Sequence, residues 1–178
     1  METRKGVEIF AKAIPLILNK FPGYKFKLVG KDTFSLTHRQ SMQGFLTEKL
    51  KMCLSKVEFV DHVSAEEIPL LLSSTDICVF PSLWENFPNV CLEAMSAGRA
   101  IVASKNGGMK DMLQKEKAGI LINPYSAIEI VNAISYLIRN PEEKLMMAKR
   151  ARKKVLEEYS SDKIGALKES ELLKLIKV

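Results

Sequence analysis

Residues 76 to 95 read Asp76-Ile77-Cys78-Val79-Phe80-Pro81-Ser82-Leu83-Trp84-Glu85-Asn86-Phe87-Pro88-Asn89-Val90-Cys91-Leu92-Glu93-Ala94-Met95. The run from Asp76 to Phe80 is almost wholly apolar between polar flanks, which predicts a central strand of a parallel sheet, buried on both faces. Pro81-Ser82 opens a loop, and Asn89 to Ser96 reads as a helix ended by Gly98. A strand followed by a loop and a helix is the repeating step of an α/β fold. In such folds ligands gather at the carboxyl ends of the strands.

The same step recurs on either side. Ala100 to Ala103 is predicted as a strand, Gly107-Gly108 as a turn, Met109 to Gln114 as a short helix, and Gly119 to Ile122 as a last strand before Pro124. Upstream, Val7, Phe10, Ala11, Ile14 and Leu18 recur at helical spacing, so a helix is expected from about Lys5 to Lys20, kinked at Pro15. Tyr24 to Val29 alternates and stops at Gly30, as a strand and turn do. A loop is expected next, then a helix from Met42 to Leu54 and a strand from Val57 to Val60. Ser64-Ala65-Glu66-Glu67 has the form of a capping box opening a helix to about Ser73. Three helices are expected at the end, over 126–139, 141–158 and 161–177, the middle one with Pro141 at its first position. The alternation predicts a mostly parallel sheet with right-handed crossovers. An α/β unit should begin on a strand, whereas this chain begins on a helix, so a first strand is expected to be missing and the chain to be a fragment.

The 178 residues suit one domain, and 47% hydrophobic content is enough for an ordinary core. No apolar run approaches the roughly 18 residues of a membrane span, and Met1-Glu2-Thr3-Arg4-Lys5 does not open a signal peptide, so a cytoplasmic protein is expected. Cys53, Cys78 and Cys91 are odd in number and widely spaced, which favours buried thiols over disulfides or zinc. The net charge of +6 raises nucleic-acid binding, but its distribution argues against it. All 27 basic residues lie outside the window from Val57 to Gly98, which carries Glu58, Asp61, Glu66, Glu67, Asp76, Glu85 and Glu93. Those of the C-terminal third alternate with glutamates at helical spacing, as on a solvated helix face. No nucleic-acid partner is expected.

Neither a Gly-x-Gly-x-x-Gly nor a P-loop pattern occurs, and there is no Ser nucleophile elbow. His38 and His62 have no Cys or carboxylate at ligand spacing and read as loop or surface residues. The chemistry therefore falls on Glu85, in the loop after the strand, and Glu93, in the first turns of the helix. A helix N-terminus offers free N–H groups to an anion. Carboxylates repel phosphate, so these two should flank the anion and accept hydrogen bonds from hydroxyls beside it. A diphosphate between two sugars has that arrangement.

In these residues the chain resembles the C-terminal, donor-binding half of the retaining GT-B glycosyltransferases of group 1, family 4. The resemblance runs through Arg4-Lys5-Gly6, Lys27-Leu28-Val29-Gly30, the strand 76–80 with Pro81-Ser82, Glu85-x7-Glu93, Ala97-Gly98, Gly107-Gly108 and Gly119-Ile120-Leu121-Ile122-Asn123-Pro124. It implies a Rossmann-like parallel sheet flanked by helices, one half of a GT-B architecture, whose N-terminal acceptor domain is absent. It implies a UDP-, GDP- or ADP-sugar as substrate and no metal. Glu85 would then hold the donor sugar's hydroxyls and Glu93 the ribose, with Asn86, Phe87, Asn89 and Val90 facing sugar and diphosphate. Pro88 lies among them with no N–H to donate. Lys5 matches the lysine that neutralises the departing diphosphate, His62 and Val63 stand where the base is held, and Gly107 and Gly108 lie beside the diphosphate. The acceptor implied is a glycan or lipid-linked sugar, with peripheral membrane association of the whole enzyme, in polysaccharide biosynthesis.

Departures from that pattern fall at Asp61, Ala100 and Asp111, where Gly, Pro and Glu are usual. The arginine that normally precedes the lysine by several residues is absent, and Arg4, adjacent to Lys5, is not its equivalent in position. Plainer roles stand beside these: Glu85 as a loop acid, Glu93 as a helix-dipole partner, Lys5 as a solvated lysine, Trp84 and Phe87 as packing under the loop, Asp111 as a first-turn acid. A half of a non-hydrolysing sugar-nucleotide epimerase and a non-catalytic nucleotide-binding module are the alternative functions.

Overall fold

The computed structural model describes residues 1 to 176. A 3₁₀ turn, Thr3–Lys5, leads through Gly6 into helix α1, Val7–Lys20, which runs unbroken through Pro15. Strand β1, Phe26–Val29, follows. The stretch expected as a loop holds a small antiparallel hairpin, β2 (Phe34–Ser35) and β3 (Gln40–Ser41). Such two-residue strands are too short for a period to be read from sequence. Helix α2 is Met42–Lys49 and gives way to a 3₁₀ segment, Lys51–Lys56, before strand β4, Val57–Val60.

Helix α3, Ile68–Ser73, starts later than its capping box suggests. Glu67 accepts hydrogen bonds from both the N–H (3.0 Å) and the hydroxyl (2.7 Å) of Ser64. The Ser64 hydroxyl is thus spent on the carboxylate rather than on the Glu67 N–H, and residues 65–67 stay a turn. Strand β5 is Ile77–Phe80, α4 is Asn89–Ser96, β6 is Ala100–Ser104, α5 is Met109–Leu113 and β7 is Ile120–Ile122. Helices α6 (Ala127–Arg139), α7 (Pro141–Lys154) and α8 (Ser161–Ile176) complete the described chain, with a π-helical turn, Val155–Tyr159, between the last two. Lys177, expected at the end of the last helix, lies outside the described residues.

All sheet pairings other than the hairpin are parallel. β1 pairs with β4, and β5, β6 and β7 pair in that order. The expectation for Asp76–Phe80 needs correcting: β5 is the outer strand of its sheet, and only Cys78 of it is buried. The central strand is β6, buried at every position, because β5 and β7 flank its edges and helices cover both faces. Its side chains alternate between two cores, as a strand's must. Ala100 and Val102 join Ile14, Ile17, Leu28, Leu46 and Ile130 beneath α1, α2 and α6. Ile101 and Ala103 join Cys91, Met95, Met109, Met112 and Leu113 beneath α4 and α5. β1 and β5 share the first core yet do not pair, and each has one unpaired edge. Cys78 and Cys91 are buried free thiols, and Cys53 is a half-buried one.

No helix among the described residues is long and apolar enough to cross a membrane. α8 carries Leu167, Leu172, Leu173 and Leu175 exposed.

Candidate functional site

The ends of β5 and β6 and the 3₁₀ turn before α1 meet around residues 81 to 88. The loop after β5 is fastened on one side by the 3₁₀ turn that precedes α1: the Leu83 N–H donates to the Arg4 carbonyl at 2.9 Å. Gly6 packs so tightly there that a Cβ would sit 1.9 Å from the Pro81 carbonyl oxygen. On the other side the turn after β6 closes against the same loop. Gly108 donates its N–H to the Glu85 carbonyl at 2.9 Å, and Asn106 Nδ2 donates to the Leu83 carbonyl at 3.0 Å. A Cβ on Gly107 would lie 2.0 Å from the Glu85 carbonyl oxygen, and one on Gly108 1.6 Å from that of Asn86. Real Cβ atoms do not approach backbone so closely, so only glycine permits this contact.

The loop turns the Glu85 carboxylate inward, its side chain 14% exposed, toward two cations. Lys5 Nζ lies 2.6 Å and Arg4 Nη1 2.7 Å from the same oxygen, Oε1. Burial pushes the Glu85 carboxyl up. The hydrogen bond and charge of Lys5, with those of Arg4, outweigh it and hold the group below its ordinary value. Glu85 is thereby kept ionised, and Oε2 takes part in neither pair.

Pro88 is buried and precedes α4 without offering a side-chain cap. The first N–H groups of α4, on exposed Asn89 and Val90, have no acceptor within the helix. Glu93 follows one turn later, half-buried. Asn86 is exposed, its carbonyl against Gly108.

Trp84 and Phe87 do not pack under the loop as expected: Trp84 is 55% and Phe87 47% exposed. The loop meets Gly107-Gly108 through its backbone, at Glu85 and Asn86. Phe87 instead meets the ring of Tyr159 edge to face, 5.4 Å between centroids. Asp111 does sit in the first turn of α5.

Glu85, Lys5, Asn86, Phe87, Pro88, Asn89, Val90, Gly107 and Gly108 are thus gathered at one place, with Glu93 on the same helix. His62 and Val63 follow β4, in the other sheet. Among the described residues no hydrogen bond or ion pair ties either to residues 85 to 93. His38 is a loop residue, as expected, but is stacked on Phe45 at 3.6 Å rather than free in solvent. Arg4, Asn106 and Tyr159 were not expected at the site. Asn106 directly precedes Gly107-Gly108 and could have been read as part of that turn, whereas nothing in sequence links Tyr159 to a loop 72 residues earlier.

The family model for glycosyl transferases group 1 matches residues 1–154. Over 167 residues the chain is 30% identical to an uncharacterised glycosyltransferase of Methanocaldococcus jannaschii, covering 91% of this chain and 40% of that protein. The solved structure of Anabaena HepE in complex with UDP superposes with a TM-score of 0.87 at 23% identity, over 97% of this chain and 46% of that one. The C-terminal domain of a group 1 family glycosyl transferase from Francisella tularensis superposes with a TM-score of 0.80 at 25% identity, covering 90% and 83%. The chain spans less than half the length of the curated relatives it matches. It belongs to the group 1 glycosyl transferases, as a Rossmann-like domain of their C-terminal, donor-binding type.

Proposed function

We propose that this chain binds the nucleoside-diphosphate sugar of a glycosyltransferase that passes the sugar to an acceptor hydroxyl with retention. The observation that carries this reading is the meeting of Glu85 with Lys5 and Arg4 beside the uncapped start of α4. Diphosphate charge would lie between the α4 N–H groups and Lys5, which would stabilise it as the bond to the sugar breaks. No resident metal is then called for. Glu93 would accept the ribose hydroxyls. Glu85 Oε2 would accept those of the sugar, since an ionised carboxylate has about four acceptor positions and the two cations share one oxygen. His62 and Val63 would hold the base from the end of β4.

An acceptor domain would stand N-terminal to this one, and a further strand would lie between the open edges of β1 and β5. The whole enzyme would work in the cytoplasm, in polysaccharide biosynthesis. Its acceptor would be a glycan or lipid-linked sugar, reached by peripheral membrane association.

Calorimetry with UDP, GDP and ADP tests the donor site. One of the three is expected to bind, and Glu93→Ala to weaken it about ten- to hundredfold, the worth of hydrogen bonds to a charged group. Failure of all three to bind would sink the reading. The isolated chain is expected to transfer no sugar to a simple acceptor, because it cannot position one.

A further inference from the structure

Consecutive residues on a turn ordinarily send their side chains apart. Arg4 and Lys5 send theirs to a single oxygen of Glu85, at 2.7 and 2.6 Å. The turn that carries them is not free to adjust. It is held by the Leu83 N–H on the Arg4 carbonyl and by the contact of Gly6 with Pro81. Glu85 neutralises one of the two cations, and among the described residues the charge of the other is opposed only by Glu2. Both remain reachable from solvent, the Arg4 side chain 52% and the Lys5 side chain 39% exposed. The other partner of Arg4, Glu2, is half exposed and no nearer than 3.5 Å. That contact is too long and too wet to hold the guanidinium away from the site.

We infer that Arg4 is a second cation for the donor diphosphate, held ready by Glu85 in the ligand-free chain and handed over when the donor binds. This rests on the donor-site reading above and assigns it a residue that is not the equivalent of the arginine in the family pattern. A guanidinium can present two parallel N–H groups to phosphate oxygens, which an ammonium cannot. When a diphosphate arrives, Arg4 and Lys5 turn to it, and the released Glu85 carboxylate accepts sugar hydroxyls. Glu85 thus fills the place of the missing anion and spares the site from collecting two cations unopposed.

The test is a ratio. Affinities of the chain are measured by calorimetry for UDP against UMP, GDP against GMP and ADP against AMP, in the parent, Arg4→Met and Arg4→Lys. The parent is expected to prefer the diphosphate of its own base. Arg4→Met should cut that preference about tenfold, as expected for loss of a charge-assisted pair, and Arg4→Lys should restore part of it. The slope of log affinity against log salt for the diphosphate should also flatten in Arg4→Met. Unchanged preference and slope in a folded Arg4→Met chain would leave Arg4 as a mere surface partner of Glu85 and overturn the inference, with the donor site intact. A parent chain that binds no nucleoside diphosphate would overturn the donor-site reading itself, and this inference with it.

Discussion

The turns after β6 and after β1 both carry glycine with positive φ, but for different reasons. Gly107 (φ +73°) and its neighbour Gly108 lie under the backbone of Glu85 and Asn86, where a Cβ would be 2.0 and 1.6 Å from a carbonyl oxygen. At Gly30 (φ +135°) a Cβ would have open space, meeting nothing nearer than the Met1 nitrogen at 3.8 Å. One turn is glycine because another loop needs the room; the other is glycine only because its own backbone does. The interlocked end of the domain, built on the wholly buried β6, is where the carboxylate, the two cations and the helix start come together. The end at β1 and β4 is looser: Val29 is 44% exposed, and Asp61 and His62 are exposed. A ligand site needs the first kind of surface for the groups that must be placed to within fractions of an ångström, and can use the second for a face that only has to be covered.

The sharpest way to break this contrast is Gly108→Ala. The φ of Gly108 is −67°, which any residue adopts, so the whole cost is steric. Either the Asn86 carbonyl or the start of α5 must move. A loss of about 3 kcal/mol is expected, in the range of severe overpacking, or roughly 6–12 °C in Tm for a domain of this size. Diphosphate binding should fall with it. Gly30→Ala should cost less, about 2 kcal/mol for backbone strain alone, with donor affinity within about twofold of the parent. Thermal unfolding and calorimetry on the pair read both quantities. Equal losses of binding in the two variants would erase the distinction between the turns.

Tyr159 sharpens the comparison at smaller scale. It is the one contact through which the segment between α7 and α8 reaches Phe87 by an aromatic pair among the described residues. Below it Lys154, 3% exposed, pairs with Glu116 and lies 3.3 Å from the Asp111 carbonyl, so the π-helical turn is anchored on α5. Tyr159→Ala should cost about 1 kcal/mol, the usual worth of an edge-to-face pair. It should lower donor affinity a few-fold, while Tyr159→Phe keeps both near the parent value. Equal effects from Ala and Phe would mean that the hydroxyl, not the ring, matters.

Much of this was legible in the residues. The order of strands and helices followed from apolar runs and Gly/Pro punctuation, and Glu85-x7-Glu93 with Gly107-Gly108 marked the loop and turn that meet. What escaped was set by pairing across the sheet. A strand such as Ile77–Phe80 is as apolar as a central one because helices cover its faces, yet its place in the order depends on which edges find partners, and the run itself does not encode that. Ala100–Ser104, with two alanines and a serine, looks the weaker strand, but small side chains are what allow helices to close on both faces. Arg4 escaped for a related reason: its value lies in a turn geometry that sends neighbouring side chains to one oxygen.

The smallest effect separates two carboxylates that are both held below their ordinary value of 4.5, one at each end of the comparison. Glu67, beside the looser end, owes its shift first to the hydroxyl and then to the N–H of Ser64. Glu85 owes its shift to Lys5 and Arg4, which overcome the opposing effect of burial. A carboxyl whose folded value is lowered adds stability that is fully present above its unfolded value and is lost as pH falls through the folded one. Both contributions should therefore hold at neutral pH and disappear only below about 4.5. They should differ in salt. Charges on half-exposed side chains are screened, so the Glu85 contribution, under about 1 kcal/mol, should shrink in 0.5 M salt and its titration move up. The Glu67 titration should move less, because its hydrogen bonds come from neutral groups and the attraction of His62 is the smallest of its causes. Carboxyl NMR titrations of both residues at low and high salt measure this directly. A Glu85 midpoint as insensitive to salt as that of Glu67 would mean that Lys5 and Arg4 do not hold it in solution, and that the interlocked end is held by its backbone hydrogen bonds, Asn106 and the glycine contacts instead.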